Sequence, residues 1–227
     1  MSSDNIQKIL TIIEDDVDLG KAMQALFNGV GYQTLLFNSA EAYLTEKSSK
    51  LPLKKTNKKI SSKLQLESFL IDIRLPAMNG LELFERIKSE NIMCQPVIFL
   101  TGHGDIDMGV SAIKNGAFDF ITKPIKTEEL LKRIEDSMIF SKELQKERAF
   151  SQQFEARLET LTVKETEILV QIIRGSSNKQ ISEKLDNSIR TVELHRARIL
   201  KKMNASNAIE LTREYERYSQ LNDYKSK

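Results

Sequence analysis

The sequence contains little of what cross-links a protein or anchors it in a membrane. Its one cysteine, Cys94, cannot form an internal disulfide, so we expect a small buried side chain rather than a reactive thiol. No apolar run approaches the roughly 20 residues that span a bilayer. Residues 1–7 also lack the basic and then apolar pattern of a signal peptide. These absences argue against a membrane location and favour the cytoplasm.

The composition is that of an ordinary globular protein, with 40% hydrophobic and 29% charged residues among 227. A chain of this length favours two domains of roughly 100 residues or more, because single cores rarely keep growing with length. The net charge of +2 excludes little, since a DNA-binding face needs locally clustered cations rather than a basic total.

The first half of the chain alternates short apolar runs with amphipathic stretches. The apolar runs are residues 9–13, 32–37, 69–73, 97–100 and 118–121, and the helical candidates are 17–28, 40–46, 81–90 and 106–115. Near-continuous apolar strands separated by helices predict a parallel sheet covered on both faces. We therefore predict an α/β domain with a five-stranded doubly wound parallel sheet, whose functional residues follow the strand ends.

A basic segment interrupts this pattern after the second apolar run. Residues 47–63 contain seven lysines and no acidic residue, which predicts an insertion loop over 47–66. A solvated surface loop is the simpler interpretation. A contact to a phosphate backbone, or docking of a partner, is the functional alternative.

The second half of the chain has no strand pattern. A helical stretch rich in Glu, Lys, Arg and Gln and free of Gly and Pro runs from residue 128 to about 159, with apolar residues at roughly helical spacing. That spacing suits a connector that could pair with its copy in a dimer. Beyond Leu161, helical segments separated by Gly, Ser and Asn clusters predict a small all-α domain.

Carboxylates and cationic or hydroxyl groups follow the strands of the predicted sheet. Glu14 and Asp15 follow the first strand, and Asp72 ends the third. Such converging carboxylates repel unless a cation lies among them, and oxygen ligands suit Mg²⁺. Thr101 and Lys123 follow the fourth and fifth strands, so a hydroxyl and an ammonium could bind phosphoryl oxygens near a nucleophilic carboxylate. Taken singly, an acidic pair after a strand is more often a helix N-cap and first-turn acid, a threonine is usually a cap, and a lysine before proline is usually solvated.

Together these residues resemble the receiver domain of response regulators, which has the CheY-like fold. The matching segments are IIEDD, LIDIRLPAMNGLEL, VIFLTGHGD and GAFDFITKP. The resemblance implies that Asp72 accepts a phosphoryl group from a phosphohistidine on a sensor histidine kinase. It implies that Glu14, Asp15 and Asp72 hold Mg²⁺ together with the backbone carbonyl oxygen of Arg74.

The resemblance also assigns the switch residues. Thr101 and Lys123 would bind the phosphoryl oxygens, and Phe120 would turn inward to report the charge to the face formed by the fourth helix, fifth strand and fifth helix. The bond from Lys123 to proline is commonly cis in receivers. The segment TGHGDIDMGVSAIKNGAFDFITKP is most similar to the FixJ subfamily. Within it, His103 is interpreted as a surface loop residue, and Asp16 is assigned a minor role.

The C-terminal segment predicts a helix-turn-helix. On its most basic helix Val192, His195, Ile199 and Met203 share a face that should be core, and small and basic residues on the opposite face suit a DNA major groove. A helical bundle with a solvated basic face is the alternative. Candidate DNA-binding residues, for phosphates or base edges, are Lys179, Arg190, Thr191, Glu193, Leu194, Arg196, Ala197, Arg198 and Lys201.

The same segment is similar to the LuxR/NarL-type output domain over residues 161–212. Asp186 and Asn187 replace the glycine and apolar residue often found at the inter-helix turn, and we expect Asn187 to cost some packing. The two resemblances together predict a receiver domain at 1–138, a helical linker at 139–158 and a four-helix LuxR-type helix-turn-helix domain at 159–227.

The expected function is a phosphorylation-dependent transcriptional regulator that dimerises and binds promoter DNA, with RNA polymerase as a further candidate partner. An enzyme of the haloacid dehalogenase type is disfavoured, because Arg74 stands where that group has a second aspartate. A sigma-factor-like module is disfavoured because it lacks a receiver. A receiver-fold regulator that binds DNA without phosphorylation remains the main alternative.

Overall fold

The computed structural model of the protein describes residues 6–50, 64–89, 95–102 and 106–223. Cys94, His103 and residues 51–63 of the predicted insertion lie outside these ranges. The chain divides into two compact units, Met1–Leu144 and Gln145–Lys227. Within the described residues, no helix combines the length and apolar character needed to cross a membrane.

The first unit alternates strands and helices along the chain. Its strands are β1 (Gln7–Ile13), β2 (Gln33–Phe37), β3 (Gln65–Asp72), β4 (Val97–Thr101) and β5 (Asp119–Thr122). Its helices are α1 (Val17–Gly29), α2 (Ala40–Lys50), α3 (Gly80–Ser89), α4 (Ile106–Lys114) and the start of α5 (Thr127–Leu158). All four strand pairings are parallel, in the order β2-β1-β3-β4-β5. The five-stranded doubly wound sheet is therefore confirmed.

Apolar side chains cover both faces of this sheet. One buried cluster contains Phe69, Ile71 and Phe99 and packs against α2, α3 and α4. The other contains Leu10, Leu70 and Ile134 and packs against α1 and α5. Because β3 and β4 are central strands buried on both faces, their sequences contain continuous apolar runs. The sheet order places the ends of β1, β3, β4 and β5 along one edge, which is where the predicted site residues lie.

The predicted insertion loop differs from the structure at both ends. Residues 47–50 belong to α2, and Gln65 and Leu66 belong to β3. Ser48 and Gln65 are exposed, so polar residues at these positions are compatible with a regular helix and strand. The predicted linker, residues 139–158, lies entirely within α5.

The described residues of the second unit form four helices after α5. These are α6 (Val163–Ile173), α7 (Asn178–Leu185), α8 (Ile189–Lys202) and α9 (Ala208–Asp223). Thr162 with Glu165, and Ser177 with Gln180, form capping boxes that begin α6 and α7. Asp186 ends α7 in the left-handed region at φ 50°, a conformation that Asp tolerates better than most residues. The all-α four-helix architecture is confirmed.

The core of the second unit extends beyond those four helices. Its buried residues include Ile168, Ile181, Val192 and Ile199, but also Phe154 from α5, which is fully buried. The Phe154 ring packs against Tyr218 of α9 at 4.9 Å between centroids. The last turns of α5 are therefore part of this core.

Candidate functional site

Three carboxylates meet where β1 and β3 end. Glu14 and Asp72 are buried, with 1% and 5% of their surfaces exposed, while Asp15 is exposed to solvent. Each offers a carboxylate oxygen, and the three oxygens lie within 4.8 Å of one another. The structure thus brings together the acidic residues that the sequence placed at two separate strand ends.

Lys123 bridges the two buried carboxylates. Its Nζ lies 2.6 Å from Asp72 Oδ2 and 2.9 Å from Glu14 Oε2. Burial raises the pKa of Glu14 to about 7, against the opposing hydrogen bond from Lys123, and the Asp72 charge adds to the increase. Burial alone would lower the pKa of Lys123, but hydrogen bonds to Asp72 and Glu14 outweigh it and raise this pKa. One ammonium therefore serves two carboxylates, with a third close by.

The backbone around Asp72 fixes its side chain. Asp72 Oδ1 accepts a hydrogen bond from the Arg74 N–H at 2.9 Å, while Oδ2 faces Lys123. Gly80, at the start of α3, donates its N–H to the Ile73 carbonyl at 2.9 Å. A Cβ at Gly80 would lie 2.2 Å from the Asp72 carbonyl oxygen, so only glycine permits this approach.

Thr101 and Phe120 lie on β4 and β5, the two strands that follow β3 and Asp72 in the sheet. The Thr101 hydroxyl is fully buried and has no hydrogen-bond partner among the described residues. Phe120 is half-buried and packs against the cluster that contains Phe99 and Ala112. The Lys123–Pro124 peptide bond is cis, as the resemblance implies. A buried, unpartnered hydroxyl at this edge could donate to an added phosphoryl oxygen.

Asp16 has a structural role that the sequence interpretation missed. Its side chain begins α1 as the N-cap, accepting hydrogen bonds from the Asp18 and Leu19 N–H groups, each at 3.0 Å. An Asp immediately before a helical pattern was the available signal. Asp16 therefore faces the helix end, and the acidic cluster consists of Glu14, Asp15 and Asp72.

The cluster fits a hard divalent cation. Its three carboxylates supply oxygen ligands only, and one of them is solvent-exposed, so water could complete the coordination as Mg²⁺ prefers. The charges point the same way, because the Lys123 ammonium pairs with Glu14 and Asp72 while Asp15 adds a third negative charge to the cluster.

The candidate DNA-binding residues occupy one helix and the start of another. Eight of the nine lie on α8, and Lys179 lies on α7. Leu194 is 55% exposed, and Arg190, Glu193, Ala197, Arg198 and Lys201 are also exposed. Val192, Ile199 and Met203 on the opposite face are fully buried. The helix therefore presents a mixed basic and apolar surface to solvent.

Comparison with known proteins decides the family. Residues 10–135 match the family described as response regulator receiver domain, and residues 159–215 match the family described as bacterial regulatory proteins, luxR family. The chain belongs to the response regulator family. It is similar to the transcriptional regulatory protein FixJ of Bradyrhizobium diazoefficiens, with 32% identity over 212 residues that cover 93% of this chain and 96% of FixJ.

Other relatives support the same assignment. The response regulator protein TodT of Pseudomonas putida is 33% identical over 211 residues, covering 92% of this chain and 86% of TodT. The solved structure of the response regulator StyR has 29% identity and a TM-score of 0.71, covering 93% of this chain and all of StyR (100%). This response regulator is a transcriptional regulator that joins a receiver domain to a LuxR-type DNA-binding domain.

Two basic residues of this response regulator's α8 have partners within the protein. Arg196 is half-buried and directs a guanidinium nitrogen to the Ser176 carbonyl at 3.5 Å. Lys202, at the end of the same basic helix, binds Glu165 at 2.6 Å and the Thr160 carbonyl at 2.9 Å. Lys202 therefore joins α8 to the start of α6.

The structure adds detail to two further predictions, one for His195 on α8 and one for Asn187 in the turn before it. His195 is half-buried rather than a full core residue, and its buried Nδ1 has no hydrogen-bond partner among the described residues. Asn187 satisfies its side chain by donating to the Leu185 carbonyl at 2.7 Å. Asn187 thus contributes a hydrogen bond to the turn in place of apolar packing.

Proposed function

We propose that Asp72 accepts a phosphoryl group from a phosphohistidine of a sensor histidine kinase, and that this controls DNA binding. The Asp72 carboxylate oxygen attacks phosphorus, the P–N bond to imidazole breaks, and the imidazole nitrogen keeps the electron pair and takes up a proton. The product is an aspartyl phosphate. The observation that carries this proposal is the position of Asp72, buried with Lys123 2.6 Å from one carboxylate oxygen.

The residues around Asp72 have separate tasks. Glu14, Asp15, Asp72 and the carbonyl oxygen of Arg74 would hold Mg²⁺, which when bound would neutralise charge on the phosphoryl oxygens. Lys123 would donate to one phosphoryl oxygen, exchanging part of its contact with the carboxylates. The Thr101 hydroxyl, which is buried and has no partner in the part of the chain that the structure describes, would donate to another.

The signal would leave the site through Thr101 and Phe120 toward α4, β5 and α5. The outer face of α4 exposes Met108, Val110 and Ile113, which suits dimerisation of phosphorylated receivers. A shift from 1:99 to 99:1 between states needs about 5.5 kcal/mol. Dimerisation would supply part of this free energy, since one phosphoryl contact supplies less.

The dimer would bind two related half-sites in promoter DNA, with one α8 in each major groove. Arg190, Arg198 and Lys201 are exposed and would neutralise phosphates. Glu193, Leu194 and Ala197 lie on the exposed surface of the same helix and would reach base edges.

The first experiment tests phosphorylation. The purified chain and Asp72→Ala are incubated with acetyl phosphate and Mg²⁺, and phosphorylation is followed on phosphate-affinity gels and dimerisation by light scattering. DNA affinity is then measured on duplexes selected from a random pool. We expect phosphorylation, dimers and tighter DNA binding for the wild type alone. Equal DNA affinity with and without phosphate would favour the regulator that works without phosphorylation.

The second experiment tests the DNA-binding surface. Arg198→Ala and Lys201→Ala should weaken binding to all duplexes and reduce the salt dependence of affinity by about one phosphate contact each. Leu194→Ala should instead change the preferred sequence. Lys164→Ala is the matched control, because Lys164 lies on α6 and pairs with Glu167 at 3.3 Å. Binding that responds equally to Lys164→Ala would exclude α8 as the recognition helix.

A further inference from the structure

Over residues 107–114, helix α4 has its apolar residues on the outside and its smallest residues on the inside. Met108, Val110 and Ile113 are 38%, 42% and 39% exposed. Gly109 and Ala112, three residues apart, are the buried positions among residues 107–114 of this helix. An inner face of small residues lets the α4 backbone approach its neighbours closely. Since glycine is the least favourable ordinary residue within a helix, Gly109 calls for a packing reason.

The packing reason is the Phe120 ring. A Cβ built on Gly109 would lie 3.0 Å from both Cγ and Cδ2 of Phe120 and 3.3 Å from Cδ1. Ordinary carbon contacts are about 3.5 to 4.0 Å. Three ring atoms at similar distance mean that the ring lies against the helix backbone where other residues carry a side chain. Any larger residue would displace the ring or move α4 outward.

The ring is connected to the phosphorylation site through β4. Phe120 pairs with Phe99 in the parallel β4–β5 ladder, and Thr101 follows Phe99 by two residues on the same face of β4. The Thr101 hydroxyl is buried without a described partner. From the outer surface of α4 to the edge of the sheet that carries Asp72, the spatial order is therefore Gly109, then Phe120, then Thr101.

We propose that Gly109 is a positioning residue that seats the Phe120 ring beneath α4, so that the residue at position 109 sets how readily phosphorylation at Asp72 is transmitted. This inference rests on the proposed function. The absence of a side chain at 109 gives the inward ring its space. An alanine there would oppose the inward ring and reduce the response to phosphorylation, while the acidic cluster itself stays intact.

The first test measures the gain in DNA affinity that acetyl phosphate and Mg²⁺ produce in the full chain. Gly109→Ala should reduce this gain about fivefold, the lower end of the effects of overpacking. Ser111→Ala is the matched control, because Ser111 is exposed on the same helix and alanine improves helix propensity there as well. It should keep the wild-type gain. A wild-type gain in Gly109→Ala would overturn the inference while leaving the proposed function in place.

The second test asks whether the effect passes through the ring, and it needs no phosphorylation. Urea midpoints of the unphosphorylated chain are compared for Gly109→Ala with Phe120 present and in the Phe120→Leu background. Alanine should lower the midpoint when the ring is present and raise it when the ring is gone, since only helix propensity then remains. The same shift in both backgrounds would overturn the inference. A wild type without any gain in the first test would instead count against the proposed function.

Discussion

The two units of this protein each bury a glutamate beside a lysine, and the two pairs behave in opposite ways. In the receiver, burial raises the pKa of Glu14 to about 7 despite Lys123 at 2.9 Å. In the DNA-binding unit, the hydrogen bond from Lys202 at 2.6 Å lowers the pKa of Glu165 to about 2. Burial beside a lysine therefore does not by itself determine whether a carboxylate stays ionised.

The difference lies in the other partners of each carboxylate. Glu165 is 3% exposed, but it accepts from the Thr162 N–H at 2.9 Å as well as from Lys202. Glu14 shares its lysine with Asp72 and lies near Asp15. The first arrangement satisfies its charge and stabilises the fold. The second holds excess negative charge, which suits a cation but lowers the stability of the fold.

The largest effect should come from the apolar core of the DNA-binding unit. Phe154→Ala should destabilise the DNA-binding unit by about 3 to 5 kcal/mol, because a fully buried aromatic ring leaves a cavity. Hydrogen exchange in α6 to α9 of the full chain would measure it, with the receiver peptides as internal reference. Phe140→Ala, an exposed residue of the same helix (44%), is the control. Unchanged exchange in α6 to α9 would show that α5 is not part of this core.

Phe154 also shows where sequence reasoning stops. The order of apolar runs predicted the sheet, and because parallel strands end at one edge it also predicted that Glu14, Asp72 and Lys123 would meet. The spacing on α8 predicted that Val192 would be buried. No periodicity shows that a residue of a polar helix joins a core formed by later helices, because that depends on packing between distant segments.

The Glu165–Lys202 pair was hidden for the same reason. The two residues are 37 positions apart, so no local spacing connects them. Lys202 shares a basic helix with residues that face solvent, and its sequence context favours a phosphate contact. Only the tertiary structure distinguishes a cation that stabilises the fold from one that is available to DNA.

Removing the charge of Glu165 tests how much the Glu165–Lys202 pair stabilises the fold. Glu165→Gln keeps an acceptor for the Thr162 N–H but loses the ion pair, and should cost about 2 kcal/mol at neutral pH, a value discounted because Lys202 is 34% exposed. Because the pKa of Glu165 is lower in the folded protein than in the unfolded protein, the ionised carboxylate stabilises the fold above a pH near 4.5. This stabilisation is lost as the pH falls toward the folded pKa of about 2. The variant should lack this acid-dependent loss.

The measurement is the urea midpoint of the DNA-binding unit at a series of pH values from 7 to 2. Hydrogen exchange reports the unfolding of this unit separately from the receiver. Glu167→Gln is the matched control, because Glu167 is 48% exposed on the same helix and pairs with a lysine three residues away. It should change stability by no more than about 0.5 kcal/mol. If both variants lose the same acid dependence, the Glu165 ion pair is not the cause.

At the Glu14–Lys123 pair, removal of the carboxylate charge should have the opposite effect on stability. Glu14→Gln should stabilise the receiver by about 1 to 2 kcal/mol at pH 8 in metal-free buffer, because it removes a buried charge that faces Asp72 while Lys123 keeps Asp72 as partner. The same variant should bind Mg²⁺ more weakly by calorimetry. A destabilisation as large as that of Glu165→Gln would mean that both lysine pairs stabilise alike, and the contrast would fail.

The smallest effect distinguishes the roles of Asp16 and Asp15, which follow β1. Asp16→Ala should cost about 1 kcal/mol, because α1 loses the side chain that caps Asp18 and Leu19. Thr162→Ala, which removes the capping oxygen of α6, should cost the DNA-binding unit a similar amount. Mg²⁺ affinity should stay at the wild-type value in Asp16→Ala and fall in Asp15→Ala. A loss of Mg²⁺ affinity in Asp16→Ala would place Asp16 in the charged cluster, so that capping and cation binding could no longer be assigned to different carboxylates.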